Sequence, residues 1–226
     1  MKRERPIVAI DGPSGSGKST VSKLLAQCLG FLYLDSGAMY RCVGLQVLRL
    51  GLDPLVPQAL APLLANLRIS FASDGRGGQR VICNGEDVTE AIREHEVSQA
   101  ASKSSGVAAV RARLVAMQRE MGGAGGVVME GRDIGTNVFP DAEVKIFLVA
   151  GAEQRAQRRF RELRARGEHV DFEAVLADQR ERDQRDSSRA LNPLVQAPDA
   201  HLVDTSDLTI EQVVERLTRL VSDATR

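Results

Sequence analysis

Residues 7–20 read IVAIDGPSGSGKST, a short apolar run followed without a break by Gly12, Pro13, Ser14, Gly15, Ser16, Gly17, Lys18, Ser19 and Thr20. The run has the length of a buried strand, and the helical pattern STVSKLLAQCL follows the glycines, so the spacing predicts a strand, a tight loop and a helix. That order fits G-x-x-x-x-G-K-[ST], a phosphate-binding loop. Glycines let backbone N–H groups turn inward around phosphate oxygens, and the helix N-terminus adds partial positive charge. Lys18 would bridge the β- and γ-phosphates, and Ser19 would ligate a magnesium ion held with the nucleotide. A glycine-rich turn before a helix explains the glycines but not Lys-Ser at this spacing.

Four further apolar runs, FLYLD, VVME, VKIFLV and HLVD, alternate with helical stretches. With the first run they predict an α/β fold, a five-stranded parallel sheet with helices on both faces. Thr209 and Gln212 form a capping box that opens the last helix. One segment breaks the alternation. ISFASDGRGGQRVICNGEDVTEAI carries two alternating runs around DGRGG, with NGED as a further turn, and reads as an antiparallel hairpin. We therefore expect one domain over 1–226 with an inserted subdomain over residues 63–105. Gly167, within RELRARGEHVD, interrupts two helices and marks the clearest mobile candidate.

Among 226 residues, 30 Lys and Arg balance 30 Asp and Glu, so no net field points to nucleic acid or to a membrane surface. The three cysteines, Cys28, Cys42 and Cys83, form no CxxC pair and read as reduced structural thiols. The N-terminal apolar run is too short for a signal-peptide core, and no stretch is long enough to span a membrane. The expectation is a soluble, cytoplasmic protein. N-K-x-D and L-S-G-G-Q are absent, which argues against a GTPase and a transporter-type ATPase. The D-x-x-G match at Asp74–Gly77 falls in the hairpin turn. A small kinase or a nucleotide-dependent switch remains.

Three places offer an acceptor site. DSGAMYR follows the second strand, where Ser36 can donate to a phosphate or ribose oxygen and Arg41 can bind a phosphate; equally, Ser36 and Gly37 can be a helix cap and Arg41 a solvated side chain. EGRDIGT ends the third strand, where Arg132 and Asp133 either serve a ligand or pair with each other. In LADQRERDQRDSSRALNP, Arg182, Arg185, Asp186 and Arg189 fall at i, i+3, i+4 and i+7 on one helix face. Three arginines against one aspartate leave room for an anion. Arg155, Arg158 and Arg159 form a second such stripe. A second arginine-rich site favours a kinase over a switch.

These motifs, together with AAS…VR and FPDAEVKIFL, occur in the order found in bacterial cytidylate (CMP) kinases, and the chain closely resembles that family over essentially its whole length. The resemblance implies a nucleoside-monophosphate kinase fold with a P-loop for ATP, an enlarged nucleoside-monophosphate-binding insert over 63–105 and a helical lid with the acceptor-binding helix over 152–188. It implies transfer from ATP to CMP or dCMP with Mg²⁺; the protein is expected to be a cytoplasmic monomer that needs neither nucleic acid nor membrane. By matching motif, Ser36 and Arg41 lie near the CMP ribose and phosphate. Ser102, Arg111 and Asp133 read cytosine, Arg132 and Arg189 hold the CMP phosphate, and Arg182 and Asp186 meet the ribose. Lys18, Arg132, Arg158 and Arg159 would supply catalytic charge. The family usually has Asp where this chain has Glu130, the second candidate for helping to hold magnesium. Cytosine presents an amino donor at N4, which suits a carboxylate such as Asp133, and acceptors at N3 and O2, which suit Arg111 and Ser102. UMP or a non-nucleotide alcohol is the rival acceptor.

Overall fold

A computed structural model describes residues 3–75 and 78–224. The chain divides into two compact units, Met1–Leu34 with Gly122–Arg226, and Asp35–Met121.

The first unit holds the parallel sheet. Its strands are β1 (Ile7–Asp11), β2 (Leu32–Asp35, the last residue of which opens the second unit), β6 (Val127–Gly131), β7 (Val144–Val149) and β8 (His201–Asp204), in spatial order β2-β6-β1-β7-β8. These are the five runs expected from the apolar pattern. Strand β1 pairs with parallel neighbours on both edges and is buried at all five positions, as expected of a central strand in a sheet covered by helices. The register sets Ile10 beside Glu130 and Asp11 beside Gly131. The chain therefore leaves β1 and β6 at the same level, and the P-loop and Gly131-Arg132-Asp133 emerge together at the carboxyl ends of the strands. Helix α1 (Lys18–Leu29) packs Val21 and Leu25 into a core shared with Ile10, Val128 and Ile146. Helix α8 (Ile210–Ala224) adds Val213, Leu217 and Val221, spaced at one face of a helix. Its capping box forms as expected: Thr209 N–H donates to Gln212 Oε1 at 2.9 Å and Gln212 N–H to Thr209 Oγ1 at 3.3 Å.

Helices α6 (Ala152–Ala165) and α7 (Phe172–Ser188) complete this unit. Gly167, at φ 82°, lies in the connection between them. Asp171 caps α7 by accepting from Ala174 N–H at 3.2 Å. Arg189 lies beyond the end of α7 with extended backbone (φ −57°, ψ 134°), so the expected stripe of 182, 185, 186 and 189 is not continuous helix. The run SSRALNP holds no glycine to announce that stop.

The second unit is built on α2 (Ser36–Arg49), α3 (Pro57–Asn66), α4 (His95–Ser104) and α5 (Ala108–Gly122, whose last residue belongs to the first unit). Gly44 of α2 meets α4 so closely that a Cβ there would stand 2.7 Å from Val97 O. The expected hairpin is present: β3 (Ile69–Ser73) runs antiparallel to β4 (Gln79–Cys83), and β5 (Glu86–Asp87) pairs back onto β4. Asn84 and Gly85 link β4 to β5 with φ of 51° and 89°, the two positive values a type I′ turn needs. In the DGRGG turn, Asp74 N–H donates to Gly78 O at 3.1 Å; Arg76 and Gly77, and with Gly77 the end of the D-x-x-G match, lie outside the described residues. Residues 63–105 fall wholly within this unit, which extends to either side because α2 and α5 supply its core residues Met39, Val43, Val110 and Leu114. Cys28, Cys42 and Cys83 are free thiols. No helix among the described residues is long and apolar enough to cross a membrane.

Candidate active site

The loop 12–17 needs its glycines for distinct reasons. A Cβ at Gly12 would stand 2.1 Å from Leu148 O, so the chain could not leave β1 beside β7. Gly17, at φ 90°, is the left-handed N-cap from which α1 starts. Lys18 is buried, with Nζ donating to Pro13 O at 2.6 Å and to Ser16 Oγ at 3.3 Å. Burial, and then the Arg132 charge, push its ammonium down to about 7, while Glu130 and Asp11 pull the other way. Ser19 and Thr20 are exposed at the start of α1.

Arg132 does not pair with its neighbour Asp133. Its Nε donates to Asp186 Oδ2 at 2.8 Å, on α7. Burial pushes the Asp186 carboxyl up, but the charges of Arg132, Arg182 and Arg189 outweigh it and hold the group below the ordinary carboxylate range. Arg182 also adds to the repulsion on Lys18. Arg132 and Arg182 thus act both on Lys18 and on Asp186, and Arg189 acts on Asp186. Arg189 further donates to Asn192 O at 3.0 Å, and Arg185 is paired with Glu181 on α7 at 3.1 Å. Asp133 is buried and accepts from Asn137 Nδ2 at 3.0 Å.

Of the second stripe, Arg158 reaches the P-loop, with Nη1 3.4 Å from Gly15 O and Nη2 donating to Thr205 O at 3.2 Å. Arg159 instead pairs with Glu162 on α6 at 2.9 Å. Arg155 is buried and bonded to Asp183 through both terminal nitrogens, at 3.0 and 2.7 Å.

In the second unit, the cap of α2 is Asp35 and not Ser36. Its Oδ1 accepts from Ala38 N–H at 2.9 Å and its Oδ2 from Arg41 at 2.8 Å, so Arg41 is held over the helix start. Ser36 is buried beside them. Ser102 and Arg111 flank the turn between α4 and α5. Arg111 donates to Ser105 O at 3.3 Å, and Ser105 Oγ to Ser102 O at 2.7 Å. Arg111 also stacks 5.8 Å from the Tyr40 ring centroid. Ser102 Oγ is buried with no hydrogen-bond partner among the described residues, which suits a hydroxyl made to meet a ligand.

For a magnesium ion, no cluster of three or more His, Cys, Asp or Glu side chains stands ready among the described residues. An ion held mainly by nucleotide phosphates needs none, and the exposed Ser19 hydroxyl fits that kind of donor set. Glu130 is buried and accepts from the Tyr33 hydroxyl.

Sequence reasoning missed Asp11. It ends β1, and its two carboxylate oxygens accept from Ile134 and Gly135 N–H, each at 2.8 Å. That carboxylate anchors the turn carrying Arg132 and Asp133; burial pushes it up to about 6 against those two hydrogen bonds. An acid closing an apolar run was the available signal.

The described geometry is that of a chain whose family model is known: residues 8–223 match the model for cytidylate kinase. The chain belongs to the cytidylate kinase family. It is 51% identical over 221 residues to the cytidylate kinase of Pelotomaculum thermopropionicum, covering 98% of each chain. It is 50% identical to that of Enterococcus faecalis over 95% of this chain and 94% of the other. A shikimate kinase from Bacteroides thetaiotaomicron superposes with a TM-score of 0.51 at 13% identity, covering 96% of this chain and 98% of the other, which is a likeness of fold alone.

Proposed function

We propose that this protein transfers the γ-phosphoryl group of ATP to CMP or dCMP, giving ADP and CDP or dCDP. The observation that carries the reading is the group of Lys18, Arg132, Arg182 and Arg189, four cations beside the carboxylates of Asp186, Glu130 and Asp11, in the unit that holds the P-loop. Cations that repel one another and depress a lysine's pKa gain most from an anionic ligand. Two anions must meet in line, so the protein's work is positioning and charge neutralisation.

In this reading Gly12–Thr20 cradle the ATP phosphates, and Lys18 meets the β- and γ-phosphates. Arg132 and Arg189 hold the CMP phosphate, and Arg182 and Asp186 meet the ribose. Ser36 and Arg41 assist at the ribose and phosphate; Ser102, Arg111 and Asp133 read the base. Magnesium, bound with ATP, would neutralise phosphate charge, with Ser19 as its protein ligand and Glu130 acting through water. Residues 63–105 serve as the monophosphate-binding insert and 152–188 as lid and acceptor helix. Arg158 contributes from α6; Arg159 would first have to leave Glu162. The protein works as a monomer in the cytoplasm. The test is ADP release, coupled to a dehydrogenase, with each nucleoside monophosphate in turn. CMP and dCMP should be the best acceptors; a clear preference for UMP or AMP would overturn the reading.

A further inference from the structure

We infer that Asp183 and Gln179 of α7 are positioning residues for the ATP phosphates, acting through the outer carbonyls of the P-loop. Four successive carbonyls of that loop are taken by side-chain donors. Pro13 O accepts from Lys18. Ser14 O accepts from both Arg155 Nη1 and Gln179 Nε2, each at 3.1 Å. Gly15 O faces Arg158 Nη1 at 3.4 Å, and Ser16 O accepts from Thr205 Oγ1 at 3.2 Å. In a planar trans peptide the C=O and the following N–H point in opposite directions. A donor that holds the Ser14 carbonyl on the α6–α7 side therefore turns the Gly15 N–H away from those helices, as a phosphate cradle requires.

The Ser14 carbonyl has two of these donors, and both depend on Asp183. Arg155 is fixed by its two bonds to that carboxylate and by Nε donating to Ala150 O at 2.9 Å. Gln179, one turn earlier on α7, donates to Asp183 Oδ1 at 3.3 Å as well as to Ser14 O. The approach is close: at Gly15, with φ 74°, a Cβ would stand 3.0 Å from Arg155 Cβ and 3.2 Å from Arg155 O. A surface ion pair between neighbouring helices would explain Asp183 and Arg155 alone. It does not explain why the same arginine and a buried glutamine converge on one loop carbonyl. Positions 179, 182, 183 and 186 span an arc of about 100° on α7, so one helix face carries both the proposed acceptor contacts and the fastening of the donor loop.

This inference rests on the reading of the loop as an ATP site, and its test measures ATP binding without turnover. The affinity of a fluorescent non-hydrolysable ATP analogue with magnesium is measured for the parent, Asp183→Asn, Asp183→Glu and Gln179→Ala, together with thermal melting and the KM for CMP. Asp183→Asn removes the charge from a bidentate pair and should weaken the analogue about tenfold, and Gln179→Ala, which removes one of two donors, about threefold. Asp183→Glu should recover part of the loss. The KM for CMP should stay within about twofold in all three, a split that a merely destabilised fold would not produce. Parental analogue affinity in both Asp183→Asn and Gln179→Ala overturns the inference. So does equal loss toward ATP and CMP. If Asp183→Asn does not fold, Gln179→Ala decides alone. Failure of the parent to bind the analogue would overturn the ATP reading, and failure to phosphorylate CMP would overturn only the acceptor reading.

Discussion

Replacing Asp186 by alanine should damage stability and acceptor binding together. The carboxylate is almost wholly buried, and its partner Arg132 keeps 19% of its side chain exposed. Deleting one member of a fully buried ion pair costs about 3–5 kcal/mol, because the other charge is left without compensation. Partial water access to Arg132 lowers that, while Arg182 and Arg189 lose a carboxylate whose charge they also stabilise. A net loss of about 2–4 kcal/mol follows, and with a chain of this size shifting by about 2–4 °C per kcal/mol, Tm should fall on the order of 10 °C. The pH dependence has a definite sign. Asp186 is held below its ordinary value, so its contribution is present above the unfolded pKa near 4 and is lost as pH falls through the lower folded value. The gap in stability between parent and variant should be flat from pH 8 to about pH 5 and close below about pH 4. Urea titrations across that range measure the gap, and steady-state kinetics measure the acceptor. The KM for CMP should rise and kcat fall, since Arg132 loses its orientation. If Asp186 also meets the ribose 2′-hydroxyl, CMP should lose more than dCMP. A Tm within about 1 °C of the parent with parental KM values for both acceptors would mean that the pair is a solvated brace, and the reasoning would be wrong.

Lys18→Ala should abolish nearly all transfer while circular dichroism and melting stay close to the parent; wild-type kcat at saturating ATP and CMP would remove Lys18 from the chemistry. Because Lys18 sits near 7 in the free protein and phosphates favour its charged form, ATP binding at pH 8 should take up close to one proton. Calorimetry in buffers of different ionisation enthalpy reads that uptake, and no uptake would refute it. Asp133→Asn should lower the CMP/UMP ratio of kcat/KM by about one to two powers of ten, the worth of a mispaired buried hydrogen bond of roughly 1–3 kcal/mol. An unchanged ratio assigns the base to Arg111 and Ser102. Hydrogen exchange over residues 63–105 should slow when CMP binds, and unchanged protection at saturating CMP would count against a role for this segment.

The sheet and its ends were readable because their signals are local. Each strand is an apolar run bounded by turn residues, and Asn84-Gly85 demands a type I′ turn whatever surrounds it. The P-loop was equally plain, since loop, lysine and helix lie within nine residues. What stayed hidden depends on the approach of distant segments. Arg155, Arg158 and Arg159 look alike in sequence, yet one is bound to Asp183, one lies at Gly15 O and one folds back onto Glu162. Positions 155, 158 and 159 differ by one or more helical steps, and each step of about 100° selects a different neighbour. No property of the arginines themselves predicts which.

The pairing of Arg132 shows the same limit most sharply. Adjacency suggests that Arg132 and Asp133 neutralise each other, but consecutive residues leaving a strand project to opposite sides. Arg132 meets Asp186, 54 positions away, while Asp133 accepts from Asn137 within its own turn. The turn that holds both in these directions is fastened at Ile134 and Gly135 by Asp11, the last residue of β1. A carboxylate pushed up to about 6 by burial is a costly fastener. Its placement is understandable because each of its oxygens takes up a backbone N–H beside the two side chains whose directions must differ. The feature that sequence adjacency misjudged is thus set by a residue of the same stretch, IVAID, that announced the fold.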